Sequence, residues 1–282
     1  MKSLKQFALK SATSVIAIAL CSAGLMPYST QQLESVIEKQ LPPDFLPQKQ
    51  NNAFKEGEVL SYRMHYGPVN AGVAILEVKP DLIEVSERKV YHIVGTGFTT
   101  GTTDWFFKVR DKYETYMDKD ALLPWMFVRN VNEGGYKFSQ NYTFNHYTKK
   151  VDVGGGEKFD VPAGVQDMVS AFYSARNLDL NTAKDGDIFT LNCFLDKEIW
   201  PLKIKFIGRE TIETDLGKVK ALKFRPIVQK GRVFKKEEDL NVWISDDDNH
   251  IVLKAQADVL IGSIKMELTK AINLANPIAK VN

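Results

Sequence analysis

The densest chemistry in the chain is Asp246-Asp247-Asp248-Asn249-His250, three carboxylates, an amide and an imidazole on one short stretch. Oxygens set so close could hold Ca²⁺, which takes six to eight hard ligands, or serve a metal-dependent or acid/base hydrolase. The competing reading is a hairpin turn, because Asp and Asn side chains bond neighbouring backbone amides and tolerate left-handed φ. A calcium loop of the EF-hand kind also needs a glycine at its bend and a distal Glu, and the stretch has neither. Turn chemistry is the stronger reading, with Asp246 and Asp248 as the candidate metal ligands. No motif calls for a cofactor.

Other reactive residue types lack the company that chemistry needs. His65, His92, His146 and His250 stand singly, with no pair at metal-ligand spacing. Ser170 falls inside an expected helix and Ser263 follows a glycine, and neither sits in a nucleophile turn. Glu237-Glu238-Asp239 follows Lys235-Lys236 and reads as a solvated strand edge. The glycine-rich runs Gly95–Thr103 and Gly154-Gly155-Gly156 lack the Lys-Ser/Thr ending and the following helix of a phosphate cradle, and read as flexible hairpin loops. Cys193 shares an alternating apolar face with Leu191 and Leu195, the setting of a buried, inert thiol.

Aromatics are abundant, with 16 Phe and 10 Tyr. Tyr62, Tyr66, Phe138, Tyr142 and Phe144 fall on alternating strand positions, and Trp105 opens Trp105-Phe106-Phe107 at an expected sheet rim. Lining a curved sheet, these six could hold an apolar or lipidic ligand. The same rings could fill the interior against a helix, which is the stronger of the two readings.

The elements that must position these groups are mainly strands. Leu60, Tyr62, Met64 and Tyr66 alternate with polar residues, as do Tyr136, Phe138, Tyr142 and Phe144. Further strands are expected at Val90–Gly95, Trp105–Met117, Ile188–Leu195, Leu202–Ile207, Val219–Val228, Val233–Ile244 and Ile251–Leu268. In the last, apolar positions change from odd to even at Gly262, so the strand has either ended there or been bent by a bulge; a bend is the expectation carried forward. One helix is expected near 167–178, capped by Asp167 and ended by Asn177, with Met168, Ala171, Phe172 and Ala175 on one face. Ten to twelve strands in tandem hairpins make a curved antiparallel sheet: a barrel, half-barrel or barrel-like sandwich with one covering helix.

Residues 1–23 carry Lys2, Lys5 and Lys10 before a short apolar run, the pattern of a secretory signal too short for a membrane span. Acylation at Cys21 is the weaker alternative, since Leu20 is large for its place before a lipoprotein cysteine. Loss of that segment removes three lysines and takes the net charge from +2 to −1, which leaves no bulk electrostatic case for nucleic acid. Residues 24–53, with four prolines, read as a polar linker or arm; 54–270 as a single β-rich domain; 271–282 as a C-terminal tail, frayed from Ala275. No transmembrane span is expected in the mature chain, which is placed in the periplasm or cell envelope.

Three stretches together resemble the DUF3108 family of exported bacterial proteins. They are Gly57–Tyr62 with Ala71-Gly72, Val165–Tyr173 with Arg176-Asn177, and Val242–Asp247 with Gly262-Ser263-Ile264. The resemblance spans about residues 54–270 and implies an exported, mainly β protein of Gram-negative bacteria, with no activity or catalytic residue established. Three functions are carried forward. The first is a non-catalytic envelope protein binding an apolar small molecule, a lipid or another envelope protein; the second a hydrolase built on the Asp246–His250 turn; the third a structural or assembly protein without ligand.

Overall fold

A computed structural model describes residues 46–85, 88–227, 240–258 and 262–281. Its elements are β1 (Val59–Tyr66), β2 (Val69–Val78), β3 (Ile83–Val85), β4 (Arg88–Thr99), α1 (Gly101–Phe106), β5 (Arg110–Asp118), β6 (Pro124–Glu133), β7 (Tyr136–Asn145), β8 (Lys150–Asp152) and β9 (Lys158–Asp160). After these come α2 (Met168–Ala175), β10 (Ile188–Leu195), β11 (Glu198–Thr214), β12 (Gly217–Pro226), β13 (Leu240–Ser245), β14 (Val252–Asp258) and β15 (Ser263–Ile272). The 15 strands form one antiparallel sheet, ordered β10-β11-β12-β13-β14-β15-β1-β2-β4-β5-β6-β7-β8-β9, with β3 paired to β4.

The first strand lies in the middle of this sheet, between β15 and β2. Hairpins carry the chain outward from β1 to β9 at one edge and inward from β10 at the other edge to β15. The link from β9 to β10 must therefore travel from edge to edge, and it carries α2 across the concave face. The sheet curls far enough for its edges to touch through side chains. Phe159 of β9 and Phe194 of β10 have ring centroids 5.5 Å apart, and Arg129 of β6 reaches Asp196 at 2.8 Å. Among the described residues β9 and β10 share no backbone ladder, so the barrel stays open along that seam. Gln166, on the crossing link, donates its N–H to Asn192 O and accepts from Phe194 N, both at 2.8 Å.

Curling comes from bulges, which add a residue to one strand and increase its local twist. Pairing slips at Ser61/Tyr62 and Met64/His65 in β1, Tyr116/Met117 in β5, Phe206/Gly208 in β11 and Trp243/Ile244 in β13. Gly262 is not among these bends. There the chain reverses: β14 pairs with β15 from Asp258 opposite Ser263, and Gly262 has φ +87°. Apolar parity changes because Ala255 and Ala257 face Met266 and Ile264 across the hairpin.

Three other expectations are corrected. Gly95–Thr99 belong to β4 rather than to a loop, because they are paired in the ladders with β5 and β2. Trp105 and Phe106 lie on the short helix α1, and β5 begins only at Arg110. The segment from Ala275 is tied down, with Lys220 N donating to Ala279 O and Val281 N to Lys218 O. The glutamates and aspartate at 237–239 lie outside the described residues.

The helix expected near 167–178 forms at Met168–Ala175. Asp167 accepts from Val169 N and Ser170 N at 2.7 and 2.8 Å, and the Ser170 hydroxyl returns to the Asp167 backbone, a complete capping box. Val169 and Tyr173 pack among Tyr91, Ile93, Tyr113, Phe127, Tyr142 and Phe144 on one half of the sheet. Phe172 also packs against the other half, with Tyr62, Leu76, Leu253 and Leu268. Each such ring buries ~150–250 Å², so α2 fills the barrel as well as covering it.

Candidate functional site

The six candidate aromatics separate into an interior group and a rim group. Tyr142 and Phe144 are fully buried on β7 against α2, with Phe138 half-buried beside them. Tyr62 is buried on the other side of α2. Tyr66 ends β1 at 37% exposure, and Trp105 stands at 82% exposure on α1. These residues do not line one chamber. Phe138 and Tyr142 border a shallow groove of ≈ 580 Å³ at the seam, with Gln140, Asn141, Asp152 and Lys197. Burial pushes the Tyr142 phenol up to about 12, so the group there is a neutral hydroxyl.

The centre of the barrel holds a charge pair that the pattern of apolar residues does not announce. Arg176, directly after α2, is buried and meets both Glu58 oxygens at 2.6 and 2.8 Å. Two further donors reach Ala53 O and Asn249 O, each at 2.8 Å, and its plane faces the Phe54 and Tyr173 rings at 5.5 and 5.2 Å. The buried phenols of Tyr62 and Tyr173 are held well above the usual range, first by burial, with Glu58 adding to the rise and Arg176 opposing it. A guanidinium with its donors so engaged is a structural tie.

The acidic turn belongs to the same tie. Asp247 accepts from Ser245 Oγ at 2.8 Å, from Asn249 N and Nδ2 at 3.0 Å each, and from Ala279 N at 2.8 Å. Asn249 in turn bonds Asn276 through both ends of its amide, and His250 Nδ1 lies 2.7 Å from Arg176 O. Asp246 lies 3.6 Å from Arg209, and Asp248 is exposed. Among the described residues no three His, Cys, Asp or Glu side chains gather as a metal set.

The other candidates also have structural partners. His92 bonds Glu114 at 2.8 Å and stacks on Tyr116, and His146 bonds Pro124 O at 2.7 Å. Cys193 is buried, and burial pushes its thiol up to about 12, the state of an unreactive SH.

The rim is different in kind. α1 has no buried residue, and Trp105 and Phe106 project from it at 82% and 76% exposure, ring centroids 4.5 Å apart. Its base is braced: Arg110 grips both Asp104 oxygens at 2.6 and 2.9 Å, and Thr99 Oγ1 donates to Asp104 at 2.7 Å. These bonds hold the Asp104 carboxyl down at about 2. Thr100 N bonds Ala71 O of β2, and Phe107 packs on Gly134 of the β6–β7 turn, where any Cβ would come within 2.5 Å of its ring. Val69 and Tyr136, at 46% and 51% exposure, therefore stand at the same end as the aromatic pair. Beneath it, Asp111 is buried beside Glu133, and burial together with that second carboxyl pushes Asp111 up to about 8. Trp105 was legible as a rim aromatic; Asp111 carried no signal, since its partner is fixed by β5–β6 pairing.

The protein-family model for "protein of unknown function (DUF3108)" matches residues 61–269. Among curated proteins no sequence matches the chain. Among solved structures, the chain is similar to a β-barrel-like DUF1849 protein from Brucella abortus at TM-score 0.48 and 10% identity, covering 79% of this chain and 99% of that one. It is also similar to the hypothetical protein CT021 from Chlamydia trachomatis at TM-score 0.37 and 8% identity, over 81% and 92%. A candidate lipoprotein from Parabacteroides distasonis matches at TM-score 0.35 and 12% identity, over 80% and 97%. At such scores none of these bears on what this chain does. No helix among the described residues is long and apolar enough to cross a membrane.

Proposed function

The chain belongs to the DUF3108 family, whose function is unknown, and from that premise we propose that it is an exported, non-catalytic envelope protein that binds an apolar or lipidic partner at its rim. The N-terminal segment has the pattern of a secretory signal. The barrel interior is occupied by α2 and its aromatics, so a ligand chamber inside the sheet finds no support. The acidic turn, the second candidate, is taken up in holding the C-terminal segment to Arg176. One observation carries the reading: Trp105 and Phe106 stand together in solvent on a braced helix. Scattered surface apolar residues are ordinary, but two large adjacent rings on a fixed projection mark a contact site.

The test is native mass spectrometry with lipid extraction on protein purified from its own envelope, comparing wild type with the double variant W105A/F106A. A co-purifying apolar molecule that the double variant loses supports the reading. Equal amounts with both proteins would move the site away from the rim, and none with either would count against carriage.

A further inference from the structure

Building on that rim reading, we propose that the partner is a bilayer surface carrying anionic headgroups, met by Trp105 and Phe106 with Lys108 and Lys137 beside them. Size argues first. Two aromatic side chains bury ~150–250 Å² each, whereas a stable protein partner needs ~800 Å² on each side. The half-exposed Tyr136 and Val69 do not close that gap. A bilayer asks for no matching surface, only for apolar groups that can enter the interfacial zone ahead of a polar base.

The residue types and their order fit this zone. Trp and Tyr are favoured at membrane interfaces because each ring has an apolar body and a polar edge, and Trp105 leads here with Tyr136 set further back. α1 buries none of its own side chains, so entry of both rings breaks no packing in the protein. The Asp104–Arg110 clamp holds the helix in place before contact, which spares the ordering cost of a loose loop.

Charge completes the fit. Lys108 and Lys137 are exposed, and among the described residues neither takes part in an ion pair. Gly134 N donates to Lys108 O, and Lys137 pairs with Asn132 across the β6–β7 hairpin, so both lysines flank the Phe107 contact. Of the nearby carboxyls, Asp104 lies in its Arg110 pair, and Asp111 and Glu133 lie side by side as one pair against the two lysines. On an anionic surface each such lysine should strengthen binding about fivefold.

The experiment is flotation of the purified chain with phosphatidylcholine vesicles, with and without phosphatidylglycerol, alongside titration of a monomeric fluorescent fatty acid. Wild type is expected to float with phosphatidylglycerol vesicles, W105A/F106A to partition on the order of 100-fold more weakly, and K108Q/K137Q to lose the preference for phosphatidylglycerol. Both rings are exposed, so circular dichroism and melting temperature of the variants should match wild type. Equal flotation of wild type and W105A/F106A overturns the proposal. Equal binding to both vesicle types overturns its anionic component. Failure of wild type to float, with fatty-acid binding that depends on Trp105 and Phe106, rejects the bilayer and keeps the rim; failure of both probes rejects the rim as well.

Discussion

Arg176 and Glu58 meet at two points in the centre of the barrel, guanidinium nitrogens 2.6 and 2.8 Å from the two carboxylate oxygens, with side-chain exposures of 2% and 0%. The pair joins the end of the crossing helix to the residue before the first strand, and through Asn249 O and Ala53 O it gathers the acidic turn and the N-terminal approach. Three segments distant in sequence, around 53–58, 176 and 249, thus share one cation. The β9–β10 seam that backbone pairing leaves open is bridged separately, by the Phe159–Phe194 contact and by Gln166 on the approach to α2, which bonds Asn192 and Phe194 of β10.

Breaking the pair on one side should be costly, because the other charge stays buried without its partner. E58Q and R176M are each expected to lower unfolding free energy by about 3–5 kcal/mol, read from urea denaturation. The double variant E58M/R176M should lose clearly less than the sum, since it strands no charge. Losses under about 1 kcal/mol in both single variants would show that the pair does not organise the centre.

Asp247 should matter for the C-terminal segment and not for a metal. D247A leaves Ala279 N, Asn249 N and the Ser245 hydroxyl without their acceptor, at a cost of about 1–3 kcal/mol for each buried group left unsatisfied. Limited proteolysis should then cut within 273–281 faster than in wild type. Calcium should leave the melting temperature of wild type unchanged, whereas a real site at a hundredfold excess over Kd would add about 2.7 kcal/mol.

Asp167 caps α2 and also accepts from Thr115 Oγ1 of β5 at 2.6 Å, so it fixes both the start of the helix and its position over the sheet. D167A should cost at least the ~1–2 kcal/mol of a lost N-cap. D167N keeps an acceptor oxygen and should recover part of that loss, and T115V should mimic only the docking portion. Equal stability of D167A and wild type by thermal melting would refute this account.

Local signals were legible and long-range ones were not. Asp167 could be read as a cap because its partners Val169 and Ser170 are two and three residues away. Tyr142 and Phe144 could be placed inward because a strand alternates with period two. Gly262 shows the limit: a bulge and a reversal both shift apolar parity, and only the pairing of Asp258 with Ser263 separates them. Trp105-Phe106-Phe107 reads as strand on aromatic propensity, yet it lies off the ladder because Arg110 and Thr99 hold Asp104 in a short helical turn. The partners of Arg176 lie up to 123 residues away, and no spacing rule reaches that far.

The buried carboxyl pair below the rim gives the fold a pH dependence whose sign can be worked out. Asp111 is raised from 3.8 to about 8 by burial and by Glu133, while Asn132 N donates to its Oδ1 at 2.5 Å. The folded pair therefore holds a proton that the unfolded chain has released above about pH 4. With more protons bound in the folded state, stability falls as pH rises, through the window from about 4 to about 8. Asp167, raised to about 6, acts in the lower part of that window, and His146 and His65, lowered by burial, act there in the opposite sense, so the range from pH 7 to 9 is the one Asp111 dominates. Wild type should lose on the order of 1 kcal/mol across it, measured by urea denaturation at successive pH values. D111N presents an amide where the protonated acid stands, so its profile should be flat there and its stability should exceed wild type at pH 9. A falling profile in D111N would assign the proton to another group.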